Sequence, residues 1–176
     1  MYYNPAQHLG SCVIEHFADR FLTAADKKGA PVCVGLDPVV DRLPGEVVGG
    51  TPVARIESWC KGVLDAVAEH VPAVKPQLAC FERYGSAGYT VYERVVAHAR
   101  SLGLIVIADA KRGDIGLSSA HYAAGFFESQ QPADALTVNA YLGADGLAPF
   151  AECAASAMLT RFIIIVPSSS SWIPAP

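Results

Sequence analysis

The sequence predicts an α/β protein built on a parallel sheet, and three observations carry that prediction. Apolar runs of strand length alternate with stretches of helical periodicity: one helix, four strand–helix units and a closing strand. The longest such run, Leu104–Ala108, is β-branched or aliphatic throughout, as suits a strand covered on both faces. Among 176 residues, 52% are hydrophobic and 17% charged, enough core material for one domain of two or three layers.

The elements follow in order. Over Ser11–Lys28, Ile14, Phe17, Ala18, Phe21, Leu22 and Ala25 recur at helical spacing, and Lys27, Lys28 and Gly29 make a suitable helix end. Pro31 breaks this helix, and Val32–Leu36 reads as a short buried strand leaving into Asp37–Pro38. Residues 39–52, rich in Gly and Pro, form a loop. Val53–Val71 is a second helix with Ile56, Trp59, Cys60, Val63, Leu64, Val67 and Ala68 on one face. Ala73–Leu78 is a second strand that contains Lys75 and is made irregular by Pro76. A third helix spans Tyr89–Ser101, and Gly103 closes it ahead of the central strand. Ser118–Glu128 is helical, Asp134–Asn139 a fourth strand, Ala140–Asp145 its exit loop, Leu147–Met158 a short helix and Phe162–Val166 a fifth strand. Parallel strands joined by helices imply right-handed crossovers.

Charge and composition narrow the function. A net charge of −4 with no basic stripe argues against nucleic-acid and membrane-surface partners. No apolar run approaches the roughly 18 residues of a membrane span. Cys12, Cys33, Cys60, Cys80 and Cys153 are scattered and odd in number, which fits reduced thiols in a cytoplasm. The opening MYYNPAQHLG has neither a basic nor an apolar leader segment, so no signal peptide is expected. The five histidines show no metal spacing, and no glycine-rich nucleotide cradle follows any strand, so neither a metal nor a cofactor is expected.

What folding alone does not require is the end of the central run. IADAKRGDIG (107–116) places Asp109, Lys111, Arg112 and Asp114 at the carboxyl end of a buried strand, the end where α/β proteins bind ligands. Strand alternation sets Asp109 and Lys111 on one side, about 7 Å apart along the chain; the following turn carries Asp114 either toward them or away. A solvated salt-bridge turn is the plain alternative for this D-x-K-x-x-D pattern. Asp37 reads either as a site acid or as an Asx turn before Pro38, and Lys75 either as a site cation or as a snorkelling lysine.

These acids and lysines, all at predicted strand exits, sit in four blocks: VCVGLDP (32–38), VKPQLACFERYG (74–85), IADAKRGDIG (107–116) and TVNAYLGADGLAPF (137–150). In order and in register from about Phe17 to Phe150, they resemble the orotidine 5′-phosphate decarboxylase family, in its bacterial longer-chain subgroup. The resemblance implies a (β/α)8 TIM barrel, a homodimer with active sites at the interface, and conversion of orotidine 5′-phosphate to UMP and CO2 in pyrimidine biosynthesis. It further implies that Asp37 binds ribose hydroxyls. Lys75, Asp109, Lys111 and Asp114 form a charged array beside C6 of the pyrimidine, with Asp114 reaching into the neighbouring subunit's site. Lys111 is the implied proton donor. Ser118, where the family usually has threonine, keeps the hydroxyl for a substrate contact across the interface.

The implied chemistry explains the residue types. Loss of CO2 from C6 leaves a carbanion that no ring system absorbs; a fixed ammonium stabilises it and then protonates it. Flanking carboxylates keep that lysine charged. Repulsion between Asp109 and the substrate carboxylate, about 4 kcal/mol at ~4 Å and an effective dielectric near 20, is worth at most about a thousandfold. More weight therefore falls on binding energy from remote groups, chiefly the phosphate. Sugar-phosphate decarboxylases and aldolases of the same superfamily share D-x-K-x-x-D but hold Mg²⁺ with an acid on the second strand. Lys75 stands there in this chain and would repel the metal.

The resemblance also sets an expectation about extent. A closed barrel takes eight strands and typically ~250 residues. Five strands are predicted here, so residues 1–166 are expected to form an incomplete barrel of about five parallel strands, and residues 167–176 a divergent Ser/Pro-rich tail. The loops after strands seven and eight, which in the family grip the phosphate, are not among the predicted elements. After FIIIV the family continues with a basic residue and T-S-N-P. This chain reads PSSSSWIPAP, with Ser169 as the candidate for the base-contacting serine. That tail resembles a frame-shifted or prematurely ended gene. Three readings follow: a decarboxylase; a barrel fragment that is inactive alone or needs a partner chain; and a five-stranded flavodoxin-like binding module, which length alone allows.

Overall fold

A computed structural model describes residues 16–156 and 161–166. Five strands, β1 (Cys33–Leu36), β2 (Ala73–Pro76), β3 (Ile105–Arg112), β4 (Ala135–Asn139) and β5 (Phe162–Val166), form one sheet in the order β1-β2-β3-β4-β5. Every pairing is parallel, with Cys33 opposite Ala73, Val74 opposite Val106, Ile107 opposite Ala135 and Ala135 opposite Phe162. Each strand therefore lies beside its neighbours in sequence, which is how a barrel is wound. A flavodoxin-like sheet has its first two strands exchanged, so that reading is corrected by the topology.

The helices are α1 (Phe17–Lys28), α2 (Pro52–Val67), α3 (Ala79–Glu82), α4 (Gly85–Ser101), α5 (Gly116–Phe127) and α6 (Ala144–Ser156). Strand alternation divides the sheet into two apolar layers. Leu36, Val74, Val106, Ala108, Leu136 and Val138 face α2, α4, α5 and α6, and pack with Ile56, Leu64, Val95, Phe126 and Phe150. The intervening residues Ala73, Ile105, Ile107 and Ala135 face the other way, against Phe17 and Phe21 of α1. Phe17 stacks on Phe162 with ring centroids 5.3 Å apart. Side chains such as Leu136, Val106 and Phe150 are wholly buried, each stabilising the fold by about 1.5–3 kcal/mol.

Several predicted boundaries move, for identifiable reasons. The first helix starts its described course at Phe17, where His16 accepts the Ala18 N–H as N-cap; residues 11–15 of the predicted span, Ile14 included, lie outside the described residues. Its buried stripe is narrower than the periodicity suggested: Phe17, Phe21 and Ala24 meet the sheet and Ala25 is buried, whereas Ala18 and Leu22 are exposed. Strand β1 is not buried except at Leu36, because it pairs on one side with β2 and the described residues place nothing on its other side. The predicted loop 39–52 holds a short 3-10 turn, Val40–Arg42, and Thr51 caps α2 through its hydroxyl. The second helix ends at Val67 rather than Val71. Strand β2 stops at Pro76, and the unpredicted α3 follows at once. The third predicted helix begins at Gly85 rather than Tyr89, and the last at Ala144 rather than Leu147. The fifth strand keeps its predicted span. Ser169 and the tail 167–176 lie outside the described residues.

Candidate active site

The functional side chains arise on the face that carries the smaller apolar layer. Continuing the alternation of Ala73 and of Ile105 and Ile107 toward the carboxyl ends brings Lys75 and Gln77, then Asp109, to the same side, and Ala135 brings Thr137. The face is thus apolar near the strand starts, where α1 covers it, and polar near the strand ends.

Asp109 is the hub. Although only 4% exposed, it is fully partnered. Its Oδ2 accepts from Lys75 Nζ at 2.7 Å and Gln77 Nε2 at 3.2 Å; its Oδ1 accepts from Lys111 Nζ at 2.5 Å and the Thr137 hydroxyl at 3.0 Å. Burial pushes the Asp109 carboxyl up, but the hydrogen bonds from Lys111, Lys75 and Thr137, with the Lys75 charge, outweigh it and hold the group below the ordinary carboxylate range. For Lys75, burial acts to lower the pKa. The hydrogen bond and charge of Asp109, together with the charge of Asp37, prevail and raise it above the usual lysine value. Both groups are therefore fixed in their charged forms.

The strand does not stop at Ala108 as the hydropathy suggested; it continues through the charged residues to Arg112. Backbone partners hold it there. Gln77 and Asp109 form a parallel bridge, Leu78 N–H donates to the Asp109 carbonyl at 3.1 Å, and Arg112 pairs with Val138. Between Ala108 and Arg112 the register shifts, and Lys111 takes φ +49°, a left-handed conformation disfavoured outside glycine. Its N–H donates to Thr137 Oγ1 at 2.9 Å. This local kink turns the Lys111 ammonium back onto Asp109, whereas regular extended backbone would have left the two apart along the strand. Gly113 allows a close approach just beyond, where a Cβ would lie 3.0 Å from the Asn139 carbonyl oxygen, tighter than an ordinary contact. Lys111, Gly113, Asn139, Tyr141 and Leu142 line an adjoining open cleft of about 220 Å³.

The other predicted site residues sit around this hub at different distances from it. Asp37 is exposed at the exit of β1, close enough to act electrostatically on Lys75. Asp114 takes the outward alternative: its Oδ1 accepts the Ile115 N–H at 2.8 Å, and it joins none of the ion pairs among the described residues. Ser118 lies exposed in the first turn of α5. Gln77 and Thr137 were missed in the sequence. The available signals were weak: Gln77 stands two residues beyond Lys75, on the same side of the strand, and Thr137 is a lone hydroxyl in a buried strand.

The family model described as Orotidine 5′-phosphate decarboxylase / HUMPS family matches residues 30–173, most of the chain. The chain belongs to the orotidine 5′-phosphate decarboxylase / HUMPS family. Within it, the Streptomyces coelicolor orotidine 5′-phosphate decarboxylase is 40% identical over 158 residues, covering 89% of this chain and 56% of that protein. The Rhodopirellula baltica orotidine 5′-phosphate decarboxylase is 39% identical over 166 residues, covering 87% and 55%. The chain therefore spans about half the length of the curated relatives it matches. Among solved structures, a Streptomyces avermitilis protein assigned as an orotidine 5′-phosphate decarboxylase superposes with TM-score 0.77 at 39% identity, covering 94% of this chain and 55% of that one. The Leishmania donovani OMP decarboxylase gives TM-score 0.68 at 29% identity, covering 85% and 52%. The five-stranded sheet is thus part of the family's barrel, as the strand order had indicated, and all six predicted site residues fall inside the matched segment.

Proposed function

We propose that this chain carries the proton-donating part of an orotidine 5′-phosphate decarboxylase site, with Lys111 as the donor to C6. The observation that supports it is that one buried carboxylate, Asp109, grips two ammonium groups at the carboxyl ends of β2 and β3. An ammonium fixed in this way has its position set before substrate arrives, which is what electrostatic stabilisation of a developing carbanion needs.

In the proposed step the bond from C6 to the carboxylate breaks heterolytically. CO2 departs and its bonding pair stays on C6. One Lys111 proton passes to that pair, leaving a neutral amine that regains a proton from solvent, so the step is redox-neutral. Asp109 holds the Lys111 ammonium in place and faces the departing carboxylate; Lys75, itself close to Asp37 and kept charged by Asp109, holds Asp109 from the other side. Lys75 also places a cation where the superfamily's metal-dependent members carry an acid, which favours the metal-free branch of the reaction class. Asp37 is assigned to the ribose hydroxyls, Ser118 to substrate across a subunit interface, and Asp114 to the neighbouring site. The outward turn of Asp114 suits that last role. So do the exposed apolar side chains beside it, Ile115, Leu117, Tyr141 and Leu142, which a second subunit would cover. The substrate is a small nucleotide. Among the described residues no helix is long and apolar enough to cross a membrane, and the free cysteines Cys33, Cys60, Cys80 and Cys153 suit the proposed cytoplasmic setting.

The test uses the Streptomyces coelicolor relative as host. Residues 30–150 of this chain replace the matched segment of that protein, and loss of orotidine 5′-phosphate is followed spectroscopically. The chimaera should turn over, and Lys111→Ala in it should abolish turnover while leaving the unfolding transition in place. Activity of that variant within tenfold of its parent would overturn the donor assignment. The 176-residue chain assayed by itself is expected to be inactive, because the family's phosphate-gripping loops are not among its matched blocks.

A further inference from the structure

We propose that Arg112 is the positioning residue for Lys111, clamping the left-handed kink that turns the lysine onto Asp109. The functional weight of this rests on the reading of Lys111 as proton donor; the geometry does not.

A non-glycine residue at φ +49° persists only where its surroundings hold it. On its amino side Lys111 is held by its own N–H to Thr137. The hold on its carboxyl side comes from the next residue. Arg112 sends its guanidinium to the opposite face of the sheet, where it pairs with Glu82 of α3 and lies over two rings of α5, 5.3 Å from the Tyr122 centroid and 5.9 Å from that of Phe126. Two helices thus converge on one planar cation, and its backbone is pinned to Val138 of β4. Arg112 Nε is buried with no acceptor among the described residues. The group is therefore held by one carboxylate and the ring faces, an arrangement suited to a flat guanidinium and poorly to an ammonium. Release of this clamp frees the strand end to return to regular extended backbone, where the two side chains share a face but start about 7 Å apart along the strand, so the ammonium is no longer held against the carboxylate.

The experiment reads the Lys111–Asp109 pair in the 176-residue chain without substrate, so it is independent of whether decarboxylation occurs. The Asp109 side-chain carboxyl, which faces Lys75, Lys111, Gln77 and Thr137, is titrated by carbon NMR in the wild type, Arg112→Ala and Arg112→Lys. Arg112→Ala should raise its midpoint by about one unit, as loss of one adjacent cation does. Lys111→Ala should produce a similar rise, and Arg112→Lys should recover only part of the wild-type value. An unchanged Asp109 midpoint in a folded Arg112→Ala chain overturns the proposal. If Arg112→Ala does not fold, Glu82→Gln combined with Tyr122→Leu loosens the same clamp from its exposed side. A rise in the midpoint supports the proposal; none overturns it.

Discussion

Asp109 shows how one residue can be both structural and chemical. A buried carboxylate without partners is heavily penalised, yet this one has four donors. Its native pKa lies below the ordinary value near 3.9. Its contribution to stability is therefore complete above that pH and is lost as pH falls through the native value. Lys75 has the opposite sign: with its pKa raised, its contribution is complete below about 10.4 and is lost only as pH climbs past that. We expect Asp109→Asn to lower stability at neutral pH by about 1–2 kcal/mol, a modest figure because both lysines keep contact with solvent. The same change should flatten the fall in stability below about pH 4. Urea unfolding between pH 3 and 7 checks this, and equal acid slopes for the two proteins would refute it. Asp109 and Lys111 were legible in the sequence as charges ending a buried strand. Gln77 and Thr137 were not, since a glutamine and a threonine in strands are ordinary until a carboxylate is found between them.

The least predictable elements are those fixed by close approach. Helix α3 is one turn long and has no periodicity to read, but it carries Phe81 into the core and Glu82 to Arg112. Gly88 of α4 permits it: a Cβ there would lie 1.9 Å from the Phe81 carbonyl oxygen. Helix propensity alone predicts that Gly88→Ala stabilises by about 1 kcal/mol. The clash involves backbone and should win, with a net loss of about 1–3 kcal/mol or more. Gly62 in α2 is the matched control, because nothing lies within 4 Å of its Cβ position, and Gly62→Ala should gain about 1 kcal/mol. Thermal melts of the two variants should therefore move in opposite directions; a shift in the same direction would contradict the α3–α4 packing.

Across the whole molecule, Asp134 ties the layers together at the strand starts, the end of the sheet away from the site. It is buried, accepts the Val106 N–H of β3 at 2.9 Å, pairs with Arg20 of α1 and lies 3.9 Å from Arg100 of α4. Removing one partner from such a buried network costs about 3–5 kcal/mol, against a total of roughly 5–15 kcal/mol for a domain. Asp134→Ala should accordingly leave the chain largely unfolded under mild denaturant. A denaturation midpoint close to wild type would show that α1 is held by its phenylalanines alone.

Periodicity and the order of apolar runs determined the α/β class, the five parallel strands and their approximate limits, because side-chain hydrophobicity reports directly on which face of an element is covered. The four motif blocks determined the family. Tertiary structure alone decided that β3 runs on through its charges, that Lys111 kinks back to share Asp109 with Lys75, and that Asp114 turns outward. The first two depend on contacts between residues distant in sequence, with Thr137, Gln77, Glu82 and Val138 as the partners. No local pattern encodes which of several sterically allowed backbones such partners will select.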